Sequence, residues 1–443
     1  MVKSNENRLI KGAFVVTLGG LITKVLGALY RIPLTNLLGA KGIGIYQMVF
    51  PLYSLLLTVS STGVPSGISK VIAGGENPES VLKTSLLIFA PIGLFGSIFM
   101  AVFSRNLAIL QGDLNAKFAY FLISPSVFLV SVICCFRGYF QGLLNMKPTA
   151  ISQVLEQLIK LVIGLILVFI FKENTILSAS LATLAVTFSE LIACFYFLLL
   201  KKIKYGGFST FRNSKFIGFN LFRKVFPVMI STLILPLYKA IEGFFIINVL
   251  NEYLSNATEL YGLYSGAVES LISMPVSLCY GLSITSIPII SALKSSGEDY
   301  NKKSREAVTL TFLLSLILGV CFFAFSPLAV KILYAKLSSQ NQIMIIKMLR
   351  LSSLSVIFLP LMQTLNAVLI GIGKPYACGV SAFVSCNIKI FLSLILLKNP
   401  ALNIFAVLLT DIICYLLACL INLVYISIDG VRVKSAIFRR QYE

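Results

Sequence analysis

Two cations share one face of the first apolar stretch: Lys24 and Arg31, seven residues apart in ITKVLGALYRIP. Seven residues make two helical turns, so both side chains leave a helix in the same direction. An arginine fork and a lysine point charge together suit a diphosphate. The competing reading of Arg31 is a side chain that snorkels from its helix to a polar boundary. Other ionisable residues interrupt apolar runs further along. Lys239 and Glu242 stand three apart in PLYKAIEGFF, a spacing that allows either a neutralised pair or a shared site. Glu156 and Lys160 stand four apart in the favourable order for a structural pair. Glu190, Glu269 and Asp411 are isolated carboxylates that can take up a proton or Na⁺, or stay neutral and hydrogen-bonded to a neighbouring helix. Lys389 has no evident partner in the sequence.

These residues need elements to hold them, and the composition says which. Of 443 residues, 57% are hydrophobic and 12% charged. A soluble domain carries about 25% charged residues, and few soluble folds hide so much apolar side chain. An all-α integral membrane protein is expected. An ionisable residue inside a span then costs about 3 kcal/mol on insertion scales, so each one above is a functional candidate. Twelve runs are long enough to cross, near 10–34, 45–73, 82–104, 118–140, 149–171, 177–200, 222–249, 262–292, 307–329, 343–369, 376–397 and 402–426. With the N-terminus placed in the cytoplasm, 23 Lys and Arg fall in inside segments and 10 in outside segments, which favours cytoplasmic N- and C-termini. The net charge of +20 is therefore read as positive-inside loops, and no nucleic acid is expected as a partner. The tyrosines near span ends (Tyr46, Tyr53, Tyr139, Tyr261 and Tyr264) are read as interfacial anchors.

The chain contains no His, which removes imidazole relays and His-based metal sites. Its nine Cys all lie in or beside apolar runs and read as small buried hydrophobes. No GxxxxGK[ST] loop is present, so ATP is not expected as the motor. No loop is large enough for a catalytic domain, so no enzyme activity, cofactor or metal is expected.

The run pattern repeats. The elbow FRGYFQGLLNMKPTAISQ (136–153) carries Gly142 and Lys147-Pro148, and LNAVLIGIGKPYACGVS (365–381) carries Gly371 and Lys374-Pro375 at the same place in the second half. GIYQMVFPLYS and GLYSGAVES open the second span of each half with Gly-aliphatic-Tyr. Two halves of six spans with the same starting side form a parallel repeat about the membrane normal. The expected organisation is a first lobe at 1–204, a cytoplasmic linker at 205–221, a second lobe at 222–428 and a basic cytoplasmic tail at 429–443. Within the elbow, Arg137 and Lys147 are expected at the lipid headgroups, Gly138 and Gly142 at close packing contacts, and Pro148 at a helix start.

The stretches ITKVLGALYRIPLTNLLGAKGIGIYQMVFPLYSLLLTVSSTGVPSGISKVIA (22–73) and RGYFQGLLNMKPTAISQVLEQLIK (137–160) resemble the stage V sporulation protein B branch of the polysaccharide-transporter family. That branch lies in the multidrug/oligosaccharidyl-lipid/polysaccharide exporter (MOP) superfamily, with the MurJ-type lipid II flippases and the multidrug and toxin extrusion (MATE) antiporters. The resemblance implies two six-helix lobes in a V, with a central cavity that opens alternately to either side of a bacterial plasma membrane. It implies export of a lipid-linked saccharide, a polyprenyl-diphosphate-linked precursor of cell wall, peptidoglycan or other polysaccharide, and use in sporulation. Lipid II flippases carry essential cations on the first span around an R-VLG motif; here Lys24 of KVLG takes the first position and Arg31 falls one residue out of register with the second. On this layout Lys24, Arg31, Lys239, Glu242 and Glu269 are expected around the cavity, and Glu190, Asp411 and Glu269 are expected to bind a coupling H⁺ or Na⁺. A monomer in contact with membrane lipids is expected. The alternative is a cation-coupled multidrug extruder of the same superfamily, and an enzyme of lipid-linked glycan assembly stands third.

Overall fold

The computed structural model describes the backbone of residues 2–61, 63–204, 215–296 and 298–442; side chains are described over 19–428 apart from 21, 24, 62, 204–217, 230, 231, 282, 284 and 297. In hydrocarbon every backbone N–H and C=O needs an internal partner, and long apolar runs meet that need as helices. The described helices are α1 (Val2–Met48), α2 (Phe50–Ser61), α3 (Val64–Ala73), α4 (Pro78–Val102), α5 (Ser104–Leu110), α6 (Lys117–Gly142), α7 (Lys147–Ile170), α8 (Thr175–Lys204), α9 (Lys215–Asn251), α10 (Ala257–Gly262), α11 (Glu269–Ser295), α12 (Asn301–Leu333), α13 (Ser339–Gly371), α14 (Pro375–Leu396) and α15 (Phe405–Tyr442). A π-helical segment, Leu263–Val268, joins α10 to α11.

Among the described residues, eleven stretches are long and apolar enough to cross a membrane. The first, Val25–Ala73, holds residues that the sequence divides between the first two of twelve runs. The chain changes course inside it at Gly39, whose φ of 68° suits a residue without Cβ. The remaining ten stretches each match one expected run.

The chain divides into two compact units: one runs to Asn251 and includes Ser255–Gly262, and the other holds Glu252–Leu254 and everything from Leu263. In the first unit, α3, α4 and α8 pack on α6, and α7 packs on α8 and α1. In the second unit, α11, α12 and α15 pack on α13, and α14 packs on α15. Four helix contacts thus recur at matching places in the two halves. Glycines set the same crossings: a Cβ on Gly93 of α4 would collide with Ser131 of α6, and one on Gly319 of α12 would lie 2.8 Å from Ile357 of α13. Small residues at such crossings let helix backbones approach closely.

The two elbows also match. Pro148 and Pro375 sit in the first turns of α7 and α14, where a missing N–H is no loss. A Cβ on Gly142 would lie 2.8 Å from Ile72, and one on Gly371 would lie 3.0 Å from Ile290. Gly138 presses on Pro65 and Ile68 in the same way.

Helix α8 reaches Lys204, where the linker expected over 205–221 begins, and the described part of that linker is helical, since α9 starts at Lys215. Residues 205–214 lie outside the described residues. Lys201 is fully buried, and its ammonium pairs with Glu79 of α4 at 2.6 Å, which also accepts the Tyr139 hydroxyl of α6 at 2.7 Å. This polar knot ties α4, α6 and α8 together and explains how a lysine survives inside. The C-terminal tail continues α15 as helix to Tyr442.

Helix α9 belongs to the second half by sequence, yet it packs on α2 and α3 of the first unit. Asn248 donates to the Leu110 carbonyl at 2.6 Å, Asn251 to the Gly112 carbonyl at 2.9 Å, and Thr258 to the Asp113 carboxylate at 2.8 Å. Helix α10 then crosses α1. Gly44 and Gly262, from the two Gly-aliphatic-Tyr repeats, meet at that crossing: a Cβ on Gly262 would run into the Ala40 carbonyl and the Gly44 backbone.

One modest stability prediction follows from a helix end. The Asn77 side chain caps α4 by accepting from the Glu79 and Ser80 amides at 2.9 and 3.3 Å. Asn77→Ala is expected to cost about 1 kcal/mol. A small drop in melting temperature of the purified protein checks it; an unchanged melting curve would mean that water replaces the cap.

Candidate functional site

Each unit buries its own cluster of charges. In the first, α6 and α7 meet below the elbow. Arg137 lies five residues before the end of α6 and Glu156 nine after the start of α7. At about 1.5 Å per residue the offset is about 6 Å, which an arginine stem spans. The Arg137 Nη2 lies 2.5 Å from Glu156 Oε1, with side-chain exposures of 14% and 11%. Its Nη2 and Nε also donate to Ser152 Oγ at 3.1 and 3.2 Å. Arg137 is therefore not a headgroup anchor. Its partner is inside the bundle, because an arginine at this depth needs a carboxylate. The pair expected between Glu156 and Lys160 is displaced by this one.

Glu190, on α8, lies within electrostatic reach of Glu156, Arg137 and Lys160. Arg31, on α1, acts on Lys160 and on Tyr30. Lys160 Nζ lies over the Tyr30 ring, 5.6 Å from its centroid. An aromatic ladder continues from there, Tyr30 to Tyr46 at 6.5 Å and Tyr46 to Phe50 at 4.8 Å between centroids. The side chain of Lys24 lies outside the described residues. On α9, Glu242 is buried and Lys239 is exposed.

In the second unit, Lys389 of α14 and Asp411 of α15 form an ion pair at 2.7 Å. The Tyr264 hydroxyl donates to the other oxygen of Asp411 at 2.9 Å. Both oxygens of Asp411 are thus engaged, and Lys389 has the partner that the sequence did not offer. One residue further along the π-helical segment, the Ser265 hydroxyl donates to Glu269 at 3.0 Å. The wide turn sets Tyr264 and Ser265 on two different carboxylates; such turns recur at functional sites.

Tyr46, Tyr53, Tyr139, Tyr261 and Tyr264 are all buried, so they are not interfacial anchors. Two of their hydroxyls serve carboxylates inside their own unit, Tyr139 on the half-buried Glu79 and Tyr264 on the buried Asp411. The Gly-aliphatic-Tyr repeat was the available signal for Tyr264. For Arg137 the signal was its depth, matched to Glu156 across the elbow.

Chemically, the first cluster offers cations facing an aromatic wall with a carboxylate, Glu190, beside them. The second offers a closed ion pair next to Glu269. The first suits an anion or a proton, and the second holds helices in register.

Residues 9–294 match the family described as polysaccharide biosynthesis protein. Stage V sporulation protein B of Bacillus subtilis (strain 168) is 26% identical, over 95% of this chain and 84% of its own length. Lipid II flippase MurJ of the same organism is 25% identical, over 89% of this chain and 78% of its own. Among solved structures, a MATE family multidrug resistance transporter of the MOP superfamily, inward-facing, matches with TM-score 0.80 at 16% identity, covering 93% of this chain and 96% of that one. Lipid II flippase MurJ in an inward closed conformation matches with TM-score 0.74 at 14% identity, covering 95% and 90%. The chain belongs to the polysaccharide biosynthesis protein family and is a multi-pass membrane protein with the fold of the MOP transporter superfamily.

Proposed function

We propose that the protein flips a saccharide linked to a polyprenyl diphosphate from the inner to the outer leaflet by alternating access. The family match over residues 9–294 carries this reading, together with relatives that include a lipid II flippase. The cationic face of α1, with Lys24 and Arg31, supports an anionic group as the part recognised in the membrane. Lys239, Glu242 and Glu269 are proposed around the same path. The bias of Lys and Arg supports cytoplasmic termini, and a monomer suffices for this mechanism. For the reset, a coupling proton or Na⁺ is proposed at Glu190, which forms no ion pair among the described residues. Asp411 is the weaker candidate because Lys389 already neutralises it. Glu269 stays in the set.

The test uses reconstituted vesicles with a fluorescent lipid-linked sugar. Lys24→Ala and Arg31→Ala are each expected to slow flipping by about tenfold or more, the worth of one charge-assisted contact of about 1.5–3 kcal/mol. Flipping at the wild-type rate in both variants would remove these residues from the path. Wild-type protein that moves a cationic dye and not the lipid-linked sugar would favour a cation-coupled multidrug extruder.

A further inference from the structure

We propose that the charged start of α12 binds one membrane phospholipid with a zwitterionic headgroup, phosphatidylethanolamine. Lys302 and Arg305 hold its phosphate, Asp299 and Glu306 hold its ammonium, and an acyl chain lies on Leu310 and Leu313. The site uses residues of the second unit alone and none of those proposed for transport.

Helix α12 is longer than a membrane core requires. Its 33 residues run from Asn301 to Leu333. At about 1.5 Å per residue that is about 50 Å, against about 30 Å of hydrocarbon. The helix is thus long enough to carry its first turns into a headgroup layer. The sequence divides at the matching place. In NKKSREAVTLTFLL every charge precedes Ala307, and the next one on the helix is Lys331. The exposed side chains that follow include Leu310, Leu313, Leu316, Ile317 and Val320, a face that suits acyl chains.

A cavity of about 720 Å³ opens on this boundary. Steps of three, one, three, one and three put Lys302, Arg305, Glu306, Thr309, Leu310 and Leu313 on one stripe of the helix. All six line the cavity, and Asp299, just before the helix, joins them. Charge stands at one end of the stripe and leucine at the other. Thr309 stands between them, at the level of a glycerol ester. The volume is within the range of about 300–1,000 Å³ that small-molecule sites occupy.

The charged end has open positions of both signs. Glu306 accepts from Lys303 Nζ at 2.7 Å through Oε2. Asp299 accepts from the Asn301 amide and side chain, at 2.9 and 2.7 Å, through Oδ1. Glu306 Oε1 and Asp299 Oδ2 accept no hydrogen bond among the described residues. Lys302 and Arg305 form no ion pair among them. A free phosphate or a purely anionic lipid would use the two cations and be repelled by the two carboxylates. A choline headgroup has no N–H to give those carboxylates. An ethanolamine headgroup brings an ammonium with three donors beside its phosphate, and its chains match the leucines. The basic tail of the chain, with Arg432, Lys434, Arg439 and Arg440, brings only cations, which Lys302 and Arg305 repel.

The experiment is native mass spectrometry of the full chain in a non-ionic detergent. It is titrated with palmitoyl-oleoyl phosphatidylethanolamine, phosphatidylcholine or phosphatidylglycerol. The wild type is expected to take up one phosphatidylethanolamine about tenfold or more tighter than either other lipid, the worth of one hydrogen bond to a charged group. Lys302→Gln/Arg305→Gln is expected to weaken that binding by about tenfold or more, for the same reason. Asp299→Asn/Glu306→Gln is expected to lower phosphatidylethanolamine to the level of phosphatidylcholine. Lys331→Gln, a loss of charge at the other end of α12, is the control and is expected to change nothing. Melting curves confirm that the variants are folded. Equal affinity of the wild type for the three lipids overturns the proposal. So does wild-type uptake of phosphatidylethanolamine by Lys302→Gln/Arg305→Gln. Tightest binding of phosphatidylglycerol, unmoved by Asp299→Asn/Glu306→Gln, overturns it in favour of an anionic lipid. Competition by glycerophosphoethanolamine at the concentration of the lipid overturns it in favour of a soluble headgroup, since the leucines then contribute nothing.

Discussion

Gly262→Val is expected to leave almost no folded protein in the membrane. The new side chain would have to enter the α1–α10 crossing, where the nearest atoms are the Ala40 carbonyl oxygen and the Gly44 nitrogen and Cα. Overpacking against side chains costs about 1–3 kcal/mol, because rotamers give way. Backbone atoms in a hydrogen-bonded helix do not swing aside, so the cost here lies at or beyond the top of that range. The connection cannot simply lift off, since Asn248, Asn251 and Thr258 hold it to residues 110–113. Against a total stability of about 5–15 kcal/mol this is a large fraction. Fluorescence-detected size-exclusion of a tagged chain reads it directly, as a collapse of the monodisperse peak. Gly281→Ala is the control, because a Cβ there meets nothing within 4 Å. A full-height peak from Gly262→Val would mean that the crossing opens at little cost.

The second large effect is at the ion pair below the first elbow. Removing one member of a buried pair strands the other charge, at about 3–5 kcal/mol. Glu156→Met leaves Arg137 with Ser152 as its hydrogen-bond partner and only the more distant charge of Glu190, and Arg137→Met leaves the Glu156 carboxylate without its guanidinium. The double variant Arg137→Met/Glu156→Met strands nothing. It is expected to melt well above either single variant and close to wild type. The melting temperatures of the four proteins form a complete cycle. A double variant that loses the sum of the two single losses would show that the residues act independently, and that the 2.5 Å contact contributes no coupling.

Local signals were readable in the sequence wherever one residue decides a backbone feature. Pro148 and Pro375 begin helices, and Gly142 and Gly371 pack on an isoleucine of another helix in their own unit. The runs were readable as well, apart from the boundary at Gly39, where one long stretch holds the first two runs. Partner choice across helices was not readable. Glu156 has a lysine four residues on, a pairing worth about 0.2–0.5 kcal/mol, and still takes the arginine of another helix. That arginine adds Ser152 to the same fork, a two-point contact that no i, i+4 lysine offers. Lys389 and Asp411 were closer to legible. One lies seven residues before the end of α14 and the other six after the start of α15, so antiparallel packing brings them level. The tyrosines misled because a phenol near a span end fits an interface and a carboxylate on a neighbouring helix equally well. Tyr139 and Tyr264 chose the carboxylates.

The placement of α9 bears on how the chain is made. Gly63, which caps α3, and Gly67 within it form a furrow that Val225 and Val228 of α9 fill. The ribosome finishes the first six-span half well before either valine exists. Until then the furrow lacks the valines that fill it, and until residue 262 has been inserted α10 does not cross α1 at Gly44. The first unit therefore closes only after translation is well into the second repeat. A gene cut at the repeat boundary would separate the furrow from its filling, and the two encoded fragments would have to find each other in the bilayer before either half of the packing was complete.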